Sequence, residues 1–130
     1  MMLFISTSLL ITNCKSVNVN SIKNTPSSAS NEDFNTFYNR FHTDSMFQMS
    51  RIKIPLRGMY ADRNGEKKWD IKNWILIKTK IYDVDKLQYK VYFKKTKKAF
   101  VQKVWIENSG FSSECIFGLI RKKWFLIYAL

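Results

Sequence analysis

The chemistry open to this chain is narrow. Metal sites are built from clustered His, Cys or carboxylate side chains, and the sequence holds one histidine, His42, and two cysteines, Cys14 and Cys115. Neither His42 nor Cys115 has a partner at ligand spacing, so no metal site and no cofactor is expected. His42 falls where a helix should stop and reads as a surface imidazole beside helix-terminal carbonyls. Cys115 lies in an apolar run and reads as a small buried hydrophobe. No Gly-x-Ser-x-Gly turn occurs, and four glycines leave no room for a phosphate-cradling loop. A Ser–His–acid set assembles only in the fold, so the sequence alone neither assigns nor excludes one. No catalytic residue is assigned.

Two other groups of residues could bind. Arg51 lies between apolar Met49 and Ile52, where its stem should be buried and its guanidinium should need a carboxylate or backbone carbonyls. Gln48 could share that network. The pair reads either as a brace for a helix-to-strand corner or as an anion anchor facing a pocket. Between Lys86 and Lys103 there are seven lysines and no acid. Lys90, Tyr92 and Lys94 alternate onto one strand face, with Lys97 and Lys98 in the turn beyond. Such a face suits an anionic envelope component or lipid headgroups. It is also what an edge strand carries to stay soluble. The net charge of +12 supports attraction to anionic surfaces and says nothing about fold. No nucleic-acid-binding motif is present, and nucleic acid is not the expected partner.

The location of the chain is read from its start. Met1 to Ile11 is uncharged and largely apolar, too short for the roughly 20 residues of a membrane span but suited to a signal-peptide core. Ile11-Thr12-Asn13-Cys14 resembles the lipobox of bacterial lipoproteins, in which the cysteine is lipidated and becomes the mature N-terminus. Asn13 is larger than the residue usual there. The stretch from Lys15 to Asn31 is polar and reads as a tether. The expected organisation is a signal peptide at 1–13, a tether from lipidated Cys14 at 14–31, and a folded domain at 32–130. Lys15 to Asn18 carry no acidic cluster, which points to a periplasm-facing anchor, on the outer membrane.

The elements of the domain follow from periodicity. Asn31 or Asp33 can cap a helix whose residues Phe34, Phe37, Tyr38 and Phe41 form one aromatic stripe. Thr43 or Asp44 can cap a second helix bearing Met46, Phe47 and Met49, stopped by Ile52-Lys53-Ile54-Pro55. Asn64-Gly65 predicts a type I′ hairpin within Tyr60–Trp69. Asp70–Trp74 suggests one helical turn, followed by strands over Ile75–Tyr82 and Leu87–Lys95. Phe100, Val104 and Ile106 should continue an inward face. Cys115–Ile120 and Trp124–Leu130 read as paired central strands. The fold class is α+β, with N-terminal helices packed on a curved antiparallel sheet.

Phe37-Tyr38-Asn39-Arg40-Phe41 and the run Asp44 to Leu56, with Trp69, Trp74 and Lys123-Trp124-Phe125-Leu126, resemble a family of bacterial lipoproteins catalogued as domain of unknown function 4348. That resemblance implies a nuclear transport factor 2-like, cystatin-like cone over about Asp33–Leu130. Enzymes on such cones use a pocket acid or base, which nominates Asp44, Asp83 and Asp85 with Tyr60, Tyr82 and Tyr89. Asp44 is read first as a cap and Asp83-Val84-Asp85 as a turn. The function expected is a non-catalytic binding or interaction domain on a membrane anchor, with Arg51, Gln48, Asp44 and Tyr60 as pocket or network residues. The alternatives are a small isomerase- or hydrolase-like enzyme and an immunity-type protein that binds a toxin.

Overall fold

The computed structural model describes residues 30–130. Helix α1, Phe34–Thr43, starts where the Asp33 carboxylate accepts hydrogen bonds from the Thr36 amide at 2.8 Å and its hydroxyl at 2.9 Å. The four residues of the aromatic stripe are all buried. Helix α2, Ser45–Ser50, is capped by Asp44, whose carboxylate accepts from Phe47 N at 3.0 Å. Thr43, the other candidate cap, instead turns its hydroxyl back to the Asn39 carbonyl.

Seven strands follow: β1 Ile52–Arg57, β2 Met59–Asp62, β3 Gly65–Lys68, β4 Lys90–Lys95, β5 Ala99–Trp105, β6 Ser112–Ile120 and β7 Lys123–Ala129. Strands β2 and β3 form a hairpin of their own, and the other five make a sheet in the order β1-β7-β6-β5-β4. The sheet is mixed rather than wholly antiparallel, because β1 runs parallel to β7. The two helices carry the chain across the sheet to its far edge, where β1 enters in the direction of the last strand. Pro55 is tolerated there because an edge strand has one side free of ladder bonds. Gly58, at φ 97°, then lets the chain leave the sheet; a Cβ at this position would stand 1.9 Å from the Ala129 carbonyl oxygen.

The inner face of the sheet carries Phe100 and Gln102 from β5, Cys115 and Phe117 from β6, and Trp124 and Leu126 from β7, all buried. The α1 stripe closes over it. The ring of Phe117 meets those of Phe37 at 5.8 Å, Tyr38 at 5.7 Å and Phe41 at 5.1 Å, mostly edge to face. The interior is therefore filled by aromatic rings. Truncating Phe117 to Ala would cost about 3–5 kcal/mol. Gln102, not Ile106, shares the inward face with Phe100 and Val104, and Ile106 lies beyond the end of β5.

Three local expectations fail. Ile75–Tyr82 forms no strand; only a 3-10 turn at Ile81–Asp83 is regular there. The Ile77 amide and carbonyl and the Ile81 amide go to side chains instead of a ladder, as described below. The strand expected from Leu87 begins at Lys90, and Leu87 is fully exposed. The type I′ turn is not at Asn64-Gly65, where only Gly65 has positive φ, at 106°. It is at Arg121-Lys122, with φ of 49° and 69°, joining Ile120 to its partner Lys123. Cys14, the expected signal peptide and all of the expected tether up to residue 29 lie outside the described residues.

Candidate functional site

The Arg51 corner is a closed ion pair. Arg51 Nη1 donates to Glu32 Oε2 at 2.7 Å and Nη2 donates to Oε1 at 3.0 Å, while Nη1 also reaches the Trp124 carbonyl at 3.0 Å. The guanidinium lies over the Phe47 ring at 4.6 Å. Glu32 Oε2 accepts from Trp124 N, the Glu32 carbonyl accepts from Trp124 Nε1, and the Glu32 amide donates to the Lys122 carbonyl, each at 2.9 Å. Burial pushes the Glu32 carboxyl up, but the Arg51 hydrogen bonds and charge and the Trp124 amide outweigh it and hold it below the usual carboxylate range. Arg51 is thus spent on bracing the helix-to-strand corner against Glu32 and the Trp124 carbonyl. The sequence does not single out Glu32 as this partner, because nothing in its spacing announces a guanidinium 19 residues later.

Gln48 belongs to a separate network. Its Nε2 donates to the carbonyls of Phe41 and Ile77, both at 2.7 Å, and its Oε1 accepts from Ile77 N at 2.9 Å and Trp74 Nε1 at 3.0 Å. One side chain thus satisfies both backbone groups of Ile77 in a segment that has no ladder. Tyr38 acts similarly one layer further: its hydroxyl donates to Gln102 Oε1 at 2.6 Å and accepts from Ile81 N at 3.0 Å. Burial pushes its phenol pKa well up.

His42 is buried rather than on the surface. Its Nδ1 lies 2.7 Å from the Tyr38 carbonyl, so this nitrogen carries the proton, and Nε2 has no partner among the described residues. Burial pushes the imidazole pKa down against the raising effect of that hydrogen bond. The rings of Tyr38 and Phe41 pack against it, and the aromatic stripe of α1 is wide enough to enclose the residue following Phe41. Cys115 is buried as expected, its thiol pushed up to about 12 by desolvation.

The candidate carboxylates stay at the surface. Asp44 is spent on its cap and on Arg40, 3.4 Å away, and these interactions lower its pKa. Asp85 accepts from Leu87 N in a turn, and Asp83 ends the 3-10 segment. Asp83, Asp85 and Tyr89 line an open hollow of about 350 Å³, with both acids exposed. Tyr82 is half-exposed and stands edge-on to Phe93 at 5.0 Å. Lys90, Tyr92 and Lys94 share the outer face of edge strand β4 opposite Trp105, Lys103 and Val101, and Lys97 and Lys98 occupy the β4–β5 turn, all exposed.

A better-formed cleft lies where the β2–β3 hairpin folds against the ends of β6 and β7. It encloses about 290 Å³ and is lined by Met59, Tyr60, Trp69, Phe111 and Leu130, with Ser112, Ser113 and Glu66 supplying polar groups. Tyr60 and Trp69 lie 4.7 Å apart, Trp69 Nε1 donates to the Ala129 carbonyl at 2.9 Å, and Asn73 Nδ2 donates to Tyr60 Oη at 3.0 Å. Both rings are thus fixed from behind. The volume suits one aromatic ring or a short aliphatic chain, at the small end for ligand sites. Of the candidate site residues named from the sequence only Tyr60 lines it. Trp69 and Phe111 come to it from segments 42 residues apart, a juxtaposition no local pattern encodes.

A protein-family model whose description reads "-like:-like" matches residues 32–130. No curated protein matches the chain. Among solved structures, a nuclear transport factor 2-like protein of Bacteroides fragilis is similar at 22% identity and a TM-score of 0.53, over 78% of this chain and 47% of that one. The chain therefore spans about half the length of that protein. A protein of Bacteroides uniformis matches at 23% identity and a TM-score of 0.53, over 78% of this chain and 77% of its own. Likenesses of this degree carry fold and not activity. Over residues 32–130 the chain belongs to the family of the matching model, and its fold is the nuclear transport factor 2-like α+β cone.

Proposed function

We propose that this is a lipid-anchored envelope protein of the lipoprotein family it resembles, attached through Cys14 and facing the periplasm, whose domain is a non-catalytic binding module. Its ligand site is the Tyr60–Trp69 cleft. The observation that supports the reading is the distribution of space: aromatic rings fill the inside of the cone, and a half-open, largely apolar concavity lies outside it, beneath the hairpin. An isomerase or hydrolase of this fold would need a carboxylate in an interior cavity. Here Asp44, Asp83 and Asp85 are used at caps and turns on the surface.

A thermal-shift screen of small aromatic and aliphatic molecules tests the cleft. Binders should raise the midpoint of the native chain, and Tyr60→Ala and Phe111→Ala should abolish the shift while leaving the domain folded. Binding that ignores both substitutions would remove the cleft from consideration. Radiolabelled palmitate tests the anchor: label should enter the native chain and not Cys14→Ala, and an unlabelled native chain would defeat the anchored reading.

A further inference from the structure

We propose that the end of the sheet formed by the β4–β5 and β6–β7 turns is a membrane-contact surface that seats the domain on anionic lipid headgroups. Because β4 to β7 are consecutive and antiparallel, these two turns lie at the same end. Leu119 N donates to the Lys98 carbonyl at 2.9 Å and joins them directly. One turn brings Lys95, Lys97 and Lys98, the other Arg121, Lys122 and Lys123, and every one of these side chains is exposed. Of the nearby acids Glu32 is paired with Arg51, and Asp33, which caps α1, stands near Lys95. Two acids, one of them already paired, face six cations, so the positive charge of this end is only partly neutralised locally.

The direction of the chain supports the same occupant. The Glu32 amide is hydrogen-bonded to the Lys122 carbonyl, and Ser30 lines a hollow with Arg121, Lys122 and Lys123. The segment leading back to Cys14 thus leaves the domain from the middle of the basic end. A tether that leaves there toward a bilayer turns these cations to the headgroups and the Tyr60–Trp69 cleft, at the opposite end of β6 and β7, away from them. The proposal rests on the anchored reading for its biological setting, but the surface itself can be tested without the lipid.

The test uses the full chain as Cys14→Ser, so that no lipid contributes. Its binding is compared between phosphatidylcholine vesicles and vesicles that also contain phosphatidylglycerol. The α-amino group, Lys15 and Lys23 are common to every variant, so the change in the ratio between variants reads the cations of the two turns. The expected result is a preference for the anionic vesicles that fades as salt rises. The variant Lys97→Gln/Lys98→Gln/Lys122→Asn should reduce it about a hundredfold, at about fivefold per cation. Lys68→Ala/Lys72→Ala removes charge from the opposite end and should leave the ratio near that of the parent. Equal binding to both vesicle types, an equal loss in the control, or tighter binding to duplex DNA than to the anionic vesicles would each overturn the proposal. Failure of palmitate labelling with this preference intact would remove the anchor and leave the surface standing.

Discussion

Gln48 and His42 sit six positions apart in the helical layer, are both almost wholly buried, and are treated oppositely by the fold. Gln48 has both amide hydrogens and both acceptor positions occupied, and it holds in place a segment without secondary structure. His42 has one nitrogen paired to the preceding helical turn and the other buried with no partner among the described residues. The difference shows that burial of a polar group is not one kind of event. A satisfied group specifies structure, whereas a half-satisfied one carries a cost that the surrounding rings must offset.

Substitution should separate the two residues widely. Gln48→Leu keeps the volume but strands the Ile77 amide and carbonyl, the Phe41 carbonyl and the Trp74 indole N–H. Chemical denaturation should register a loss of about 3 kcal/mol, with hydrogen exchange rising first around Trp74–Ile77. A loss below about 1 kcal/mol would mean that the segment does not depend on its latch. Arg51→Ala is expected to cost about 2 kcal/mol, less than a fully buried pair would, because both partners keep some access to water. Tyr38→Phe leaves the Ile81 amide and the Gln102 side-chain oxygen Oε1 unpaired and should cost about 1.5 kcal/mol.

His42→Leu should change stability at neutral pH by less than about 1 kcal/mol, with a small gain the expected sign, since the orphaned nitrogen leaves with the imidazole. Its signature lies in the pH profile. The folded pKa of His42 is below the ordinary 6.5, so the unfolded chain takes up the proton first. Stability is full above 6.5 and is lost as pH falls through the lower folded value. Lys80 lowers and Asp83 raises the same equilibrium, and neither reverses its direction. In His42→Leu this acid loss should flatten. A second loss should remain at lower pH, from Glu32, whose pKa is held below its ordinary 4.5. Arg51→Ala should weaken that second step and leave the first. Coincident steps in the two variants would refute the separation.

Much of the framework was legible because it is local. The stripe of Phe34, Phe37, Tyr38 and Phe41, the caps at Asp33 and Asp44, the turn after Asp70 and the paired strands β6 and β7 each depend on neighbours within a few residues. Ile75–Tyr82 was misread because its apolar content matches a strand, and its backbone partners come from α1 and α2. A need for a partner could be read at Arg51, although its identity as Glu32 could not. The cleft was nearly invisible, since Tyr60, Trp69 and Phe111 converge only after the hairpin folds down on β6 and β7. Parallel pairing of β1 with β7 was likewise hidden, because it depends on the path of two helices and not on the strand itself.

The β6–β7 turn places an arginine and a lysine in consecutive left-handed backbone conformations, which cost a residue with a Cβ about 1 kcal/mol or more. Asparagine followed by glycine would meet the same geometry with less strain. The hairpin is therefore less tightly closed than its own shape permits, and the two side chains responsible are among those facing the proposed lipid surface. Firmness of the tip and its capacity to hold counter-charges are set against each other at this one site. An engineer who optimised the loop for rigidity would erase two of the cations by which the domain is proposed to rest on its bilayer.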